Sequence, residues 1–255
     1  MKKAPAISVV VFDLTGVVFA LHKMKIMRSL ASKDLILYLL KQRKNPVDEG
    51  IMILDKMRRE VPGQFQEIVG YKGTYLPLCF VQWNQGLISA SESFRQIHDY
   101  FNSLDKQNYF NNALHKKVIF DLLYGLFGSE RSLDAFKPIK STVNLIKKLR
   151  NLGTYKLYIL SNIDRETIDG LEVTHKELFS YFDGMVTSCY SHFLKPDAAI
   201  FDYLFTKYGL DPQACCFIDD QIENIKTAQS LGMETIHCVK PSALPSLVKK
   251  LGIFT

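Results

Sequence analysis

From about Lys137 to the C-terminus, short runs rich in β-branched and aromatic residues alternate with amphipathic stretches of helical length. The strand-like runs are 156–160, 184–187, 215–218 and 234–237. The helical ones are about 138–151, 164–170, 197–208, 222–231 and 242–251. A helix between successive strands forces them to run parallel, with helices covering both faces of the sheet. Ile7-Ser8-Val9-Val10-Val11-Phe12 has the same texture and suits a central strand of that sheet. The expected fold is therefore α/β, a doubly wound parallel sheet. In such sheets ligands bind beyond the carboxyl ends of the strands, so the residues there carry the functional information.

Between about His22 and Phe136 the texture is all-helical. Apolar periodicity predicts helices near 22–43, 47–60, 74–83, 91–103 and 111–127, separated by Asn45-Pro46, Pro62-Gly63 and Asn84-Gln85-Gly86. Ser91 reads as the cap of the fourth. The expected organisation is a core made of 1–20 and 137–255, with a helical domain of 21–136 inserted after the first strand.

Hydrophobic residues make up 47% of the 255, enough for a sizeable core, and charged residues 23%. The net charge of +6 is spread along the chain rather than massed, which argues against nucleic acid and is compatible with anionic substrates. Cys79, Cys189, Cys215, Cys216 and Cys238 form no CxxC pair and sit in apolar surroundings. Buried free thiols in a reducing, cytoplasmic compartment are expected. The N-terminal apolar run meets Asp13 with no cleavage site and reads as a strand; export by a leaderless route is invisible to this reasoning. No apolar stretch reaches the roughly 18 residues needed for a membrane span. The closing segment 244–251 is short, so a helix packed on the sheet is favoured over contact with a membrane surface.

Four strand-end regions carry polar residues suited to one task. Asp13 follows the first strand, Ser161 and Asn162 the second, Lys195-Pro196-Asp197 lies beyond the third, and Asp219-Asp220 follows the fourth. They offer a carboxylate nucleophile, a hydroxyl, a cation and carboxylates for a hard metal, the ingredients of phosphoryl transfer. Taken singly, each has an ordinary structural explanation: a turn, a helix cap, a surface lysine.

Phe-Asp-Leu-Thr-Gly-Val, Leu-Ser-Asn, Lys-Pro-Asp and Phe-Ile-Asp-Asp-Gln-Ile-Glu-Asn, in this order, resemble the four signatures of the haloacid dehalogenase superfamily. Leu178 to Gly184 and the run through Ala228 and Gly232 add to the likeness. Trp83-Asn84-Gln85-Gly86-Leu87-Ile88 resembles a turn of that superfamily's helical caps. The resemblance implies a Rossmann-like core, a cap whose closure excludes water and selects the substrate, and an aspartyl phosphate formed on Asp13. It implies Mg²⁺ held by Asp13, Thr15 and Asp220, with Asp219 acting through water or as a weaker ligand. It implies a phosphate group held by Leu14, Thr15, Ser161, the backbone N–H of Asn162, and Lys195. Asn224 would orient Lys195 or Asp219.

The chain departs from the pattern at Thr15, where most phosphatases of the superfamily carry an acid–base Asp. Losing that help typically costs about 10²–10⁴-fold in rate. The loss matters least when the leaving group needs little protonation, as for aryl phosphates and phosphotyrosine, since a phenol has a pKa of about 10. The expected function is a Mg²⁺-dependent phosphatase for such esters, with a phosphorylated small molecule or phosphoprotein as partner. The alternatives are a catalytically degenerate binding module, a phosphoryl carrier and a dehalogenase.

Overall fold

The computed structural model describes residues 7–21, 33–42, 45–60, 77–127 and 133–253. The chain divides into two compact units, Met1–Leu21 with Phe136–Thr255, and His22–Ala135.

The first unit is built on a five-stranded sheet. Its strands are β1 (Val9–Phe12), β4 (Lys156–Ser161), β5 (Gly184–Thr187), β6 (Cys215–Asp219) and β7 (Glu234–His237), in the order β5-β4-β1-β6-β7. Every neighbouring pair is parallel. Val9 to Phe12 are all buried, which explains the continuous apolar run in place of a two-residue alternation. The chain starts at β1, winds outward through β4 and β5, then returns to β6 on the other side of β1. That reversal puts the topological switch point at the end of β1, where Asp13 stands. The remaining strands, β2 (Phe19–Leu21) and β3 (Phe136–Pro138), pair antiparallel where the chain leaves for the insert and comes back.

The insert contains α1 (Lys33–Gln42), α2 (Pro46–Glu60), α3 (Leu78–Asn84), α4 (Ala90–Lys106) and α5 (Ala113–Phe127). Residues 22–32 and 43 of the first expected helix, 74–76 of the third and the Pro62-Gly63 break lie outside the described residues. Tyr38, Ile53, Met57, Ile97, Phe101, Leu104, Ile119 and Leu123 form the core of this unit. Trp83 is 2% exposed, so it serves packing. The cap of α4 is Ser89, not Ser91. Its side chain accepts the N–H of Glu92, which places Ser91 in the first helical turn.

The core unit continues with α6 (Lys140–Leu152), α7 (Arg165–Thr174), α8 (Lys176–Phe179), α9 (Ser188–Ser191), α10 (Ala198–Tyr208), α11 (Ile222–Ser230) and α12 (Leu244–Lys250). On one face of the sheet Val9, Val11, Leu160, Val186 and Phe217 meet Ile200, Phe201 and Leu204 of α10 and Ile225 and Ala228 of α11. Leu244 and Val248 of α12 are fully buried, so the closing segment packs inward. All five cysteines are buried and unpaired. Among the described residues no helix is long and apolar enough to cross a membrane.

One polar clamp holds β4 to the turn before β5. The Asp183 carboxylate accepts the N–H of Leu157 at 2.9 Å, Arg150 Nη1 at 3.1 Å and Lys156 Nζ at 3.2 Å. Burial opposes its charge, but these donors outweigh burial and hold its pKa below the ordinary 3.8. A depressed carboxylate stabilises the fold above its unfolded pKa, and the contribution disappears as pH falls through the folded value. Asp183→Ala is expected to cost about 2 kcal/mol at neutral pH, with the difference from the native chain closing in acid. Urea titrations at pH 7 and pH 3 measure it; an equal deficit at both values would contradict the clamp.

Candidate active site

The site forms at the carboxyl ends of β1, β4 and β6. Asp13 follows β1 and is 5% exposed, and its N–H still donates to the Ile218 carbonyl at 2.9 Å, which locks it beside β6. The chain then turns sharply. Gly16 N–H donates to the Phe19 carbonyl, and the N–H groups of Val18 and Phe19 both donate to the Leu14 carbonyl, each at 2.8 Å. Gly16 has φ +92°, and a Cβ there would lie 2.5 Å from Asp220 Oδ2. Glycine is required both by the backbone conformation and by the closeness of Asp220.

Asp13, Asp219 and Asp220 each offer a carboxylate oxygen within 4.8 Å of the others. Lys195, 2% exposed, lies among them. Its Nζ donates to Asp13 Oδ1 at 2.8 Å, to Asp219 Oδ2 at 2.6 Å and to the Leu160 carbonyl at 3.0 Å. An ammonium has three donors, and all three are committed. The expected contact of Lys195 with a phosphate oxygen would require one of these bonds to be given up. In the structure Lys195 balances charge between two carboxylates.

Asp219 is equally committed. Oδ1 accepts Gln221 N–H at 2.8 Å and Asn224 Nδ2 at 3.0 Å; Oδ2 accepts Lys195 and, at 3.0 Å, Asn224 Nδ2. These bonds occupy both oxygens, so Asp219 is more heavily engaged within the protein than Asp220. Of the two expected roles for Asn224, orienting Asp219 is the one its geometry provides. Asp197, beside Lys195, caps α10 by accepting Ala199 N–H at 3.0 Å.

Two buried polar atoms in this neighbourhood have no partner: Ser161 Oγ, at the end of β4, and Asp220 Oδ1. An unpaired buried hydroxyl or carboxylate is costly unless something external completes it. Three carboxylates face one ammonium, so the site carries excess negative charge. Burial first, then Asp219 and Asp220, push the Asp13 carboxyl up against the pull of Lys195. Burial and Asp219 likewise raise Asp220. A hard dication would suit this all-oxygen set, in which Asp13, Asp219 and Asp220 are the carboxylates close enough to share it. Thr15 is half-buried beside them and bridges to Phe19.

The side chain of Asn162 does something the sequence reading did not foresee. Its Nδ2 donates to the Lys195 carbonyl and its Oδ1 accepts the Lys195 N–H, both at 2.8 Å. Only the Asn residue type hinted at this, because an amide carries one donor group and one acceptor.

The fold and this constellation define a hydrolase core of one family. The model for haloacid dehalogenase-like hydrolases matches residues 7–232, and the chain belongs to that family. Among curated proteins, the chain is 27% identical over 119 residues to the sesquiterpene phosphatase astK of Aspergillus oryzae (strain ATCC 42149 / RIB 40), covering 44% of this chain and 60% of that protein. It is 39% identical over 72 residues to acyl-CoA dehydrogenase family member 10 of Mus musculus, covering 28% of this chain and 7% of that one. The chain thus spans under two thirds of either relative. Among solved structures, a HAD family enzyme from Bacteroides thetaiotaomicron in complex with magnesium and inorganic phosphate shares the fold, with a TM-score of 0.55, 19% identity and coverage of 91% of this chain and 94% of that one. A predicted HAD-like hydrolase from Porphyromonas gingivalis gives 0.55 and 22%, with coverage of 97% and 98%.

Proposed function

We propose that this chain is a Mg²⁺-dependent phosphatase that forms an aspartyl phosphate on Asp13 and acts on esters with good leaving groups, aryl phosphates and phosphotyrosine among them. The observation that carries this reading is the pair of orphaned buried atoms, Ser161 Oγ and Asp220 Oδ1, beside a buried carboxylate nucleophile. A phosphate group completes the hydroxyl and a dication completes the carboxylate. The name of the Aspergillus relative, a phosphatase matched over 44% of this chain, supports phosphate esters as substrates.

Lys195 fixes the Asp13 carboxylate through Oδ1 and offsets its charge. Asp13 attacks phosphorus, a P–O bond forms, and the ester P–O bond breaks with its electron pair leaving on the alcohol oxygen. That oxygen takes its proton from solvent. Water then attacks the phosphorus of the acyl phosphate, releasing inorganic phosphate and the Asp13 carboxylate. When bound at Asp13 and Asp220, Mg²⁺ supplies charge neutralisation between nucleophile and phosphate. Ser161 donates to a phosphate oxygen. Thr15 can hydrogen-bond the ester oxygen but is no acid at neutral pH, so the leaving-group pKa controls the rate.

A series of phosphate monoesters with leaving-group pKa spanning phenols to alkanols tests this. The rate of Asp13-dependent turnover should fall steeply along the series, with phosphotyrosine cleaved at least about 10²-fold faster than phosphoserine. Equal rates for the two would sink the leaving-group argument. Absence of Mg²⁺-dependent, Asp13-dependent turnover on every ester would favour the binding-module alternative.

A further inference from the structure

Asn162 stands directly after Ser161, where its backbone N–H was expected to meet phosphate. Its side chain is directed elsewhere. The amide reaches 33 residues along the chain and pairs with the N–H and the C=O of one residue, Lys195. A carboxamide offers one donor group and one acceptor, so it can meet both the N–H and the C=O of a single backbone residue, here one in a turn. The paired residue carries the ammonium shared by Asp13, Asp219 and the Leu160 carbonyl. The loop bearing Lys195 is thus tied at two levels to the end of β4, by its backbone through Asn162 and by its Nζ through Leu160.

We infer that Asn162 is a positioning residue: its side-chain amide fixes the Lys195 backbone, and through it the ammonium that holds the Asp13 carboxylate. The inference rests on the phosphatase reading for its kinetic consequence, while the clamp itself is independent of it. A buried ammonium with three acceptors has little tolerance for displacement, and a misplacement of about 1 Å at a reacting group can cost about 10²-fold in rate. Because Asn162 acts through Lys195 and Asp13, its loss appears in the chemical step and leaves substrate binding nearly untouched.

Two variants test this. Asn162→Ala removes both bonds. Asn162→Asp keeps the size and the acceptor for Lys195 N–H but turns a second oxygen towards the Lys195 carbonyl. With para-nitrophenyl phosphate and Mg²⁺, both should lower kcat by about 10²-fold with KM changed by less than about threefold. The second readout is the ¹H–¹⁵N NMR signal of the Lys195 ammonium, assigned by its loss in Lys195→Met. It should be sharp and slow to exchange in the native protein, and broadened or lost in both Asn162 variants. A rise in KM at constant kcat would show Asn162 touching substrate and overturn the inference. So would an ammonium signal absent from the native protein or unchanged in both variants. If the native protein and Asp13→Asn hydrolyse the ester equally, the phosphatase reading falls, and the ammonium signal alone decides the clamp.

Discussion

Replacing Asp13 with Asn is expected to lower kcat/KM for para-nitrophenyl phosphate by about 10⁴-fold or more, the usual cost of losing a nucleophile. A carboxamide does not attack phosphorus at a useful rate, and no neighbour can stand in. Asp219 has its oxygens filled by Lys195, Asn224 and Gln221. Asp220 is assigned to the metal. The variant should nevertheless fold at least as well as the native chain. Asp13 is buried near two other carboxylates, and burial together with Asp219 works against its charge. Removing that charge relieves the repulsion, while Lys195 keeps Asp219 and the Leu160 carbonyl. The outcome sought is a dead enzyme with an unchanged or higher melting temperature. Retention of more than about a tenth of native activity would place the nucleophile elsewhere.

Lys195→Met should differ from it in stability, losing that as well as activity. It leaves Asp13 and Asp219 buried with no cation, a situation that typically costs about 3–5 kcal/mol. Burial opposes the Lys195 charge, but Asp13 and Asp219 outweigh it and hold its pKa above the ordinary 10.5. A raised lysine stabilises the fold fully below its unfolded pKa, and this contribution is lost only as pH rises through the folded value. The native protein therefore has the whole benefit at neutral pH. In the variant, protonation of Asp13, whose carboxyl burial already pushes up, relieves part of the penalty, so its deficit should shrink as pH falls from 8 towards 5. Mg²⁺ should also raise the variant's midpoint more than the native one, because the ion meets a site with no resident cation. Urea denaturation across pH, with and without Mg²⁺, measures all three effects. A deficit under about 1 kcal/mol at pH 7 would mean that the ammonium is not the partner holding these carboxylates together.

The α/β core, and the places where polarity interrupts it, were legible in the residues alone. Period and residue type are local properties: four strand-like runs lead into Asp13, Ser161, the loop at Lys195 and Asp219, and any parallel sheet brings such ends to one edge. Gly16 was legible as a turn for the same reason, while Thr15 stood out only against the pattern of the family that the motifs resemble. Which polar atoms meet depended on the folded chain. Lys195 and Asp13 are 182 residues apart in sequence, and nothing local says that the ammonium spends all three protons within the protein. Nor could the sequence separate Asp219, whose two oxygens accept from Lys195, Gln221 and Asn224, from Asp220, whose Oδ1 is unpaired. The choice of Ser89 over Ser91 as cap, and of the Asn162 side chain as clamp, turned on the same point. A hydrogen bond forms or fails within a few tenths of an ångström, and that precision is set by packing across the sheet.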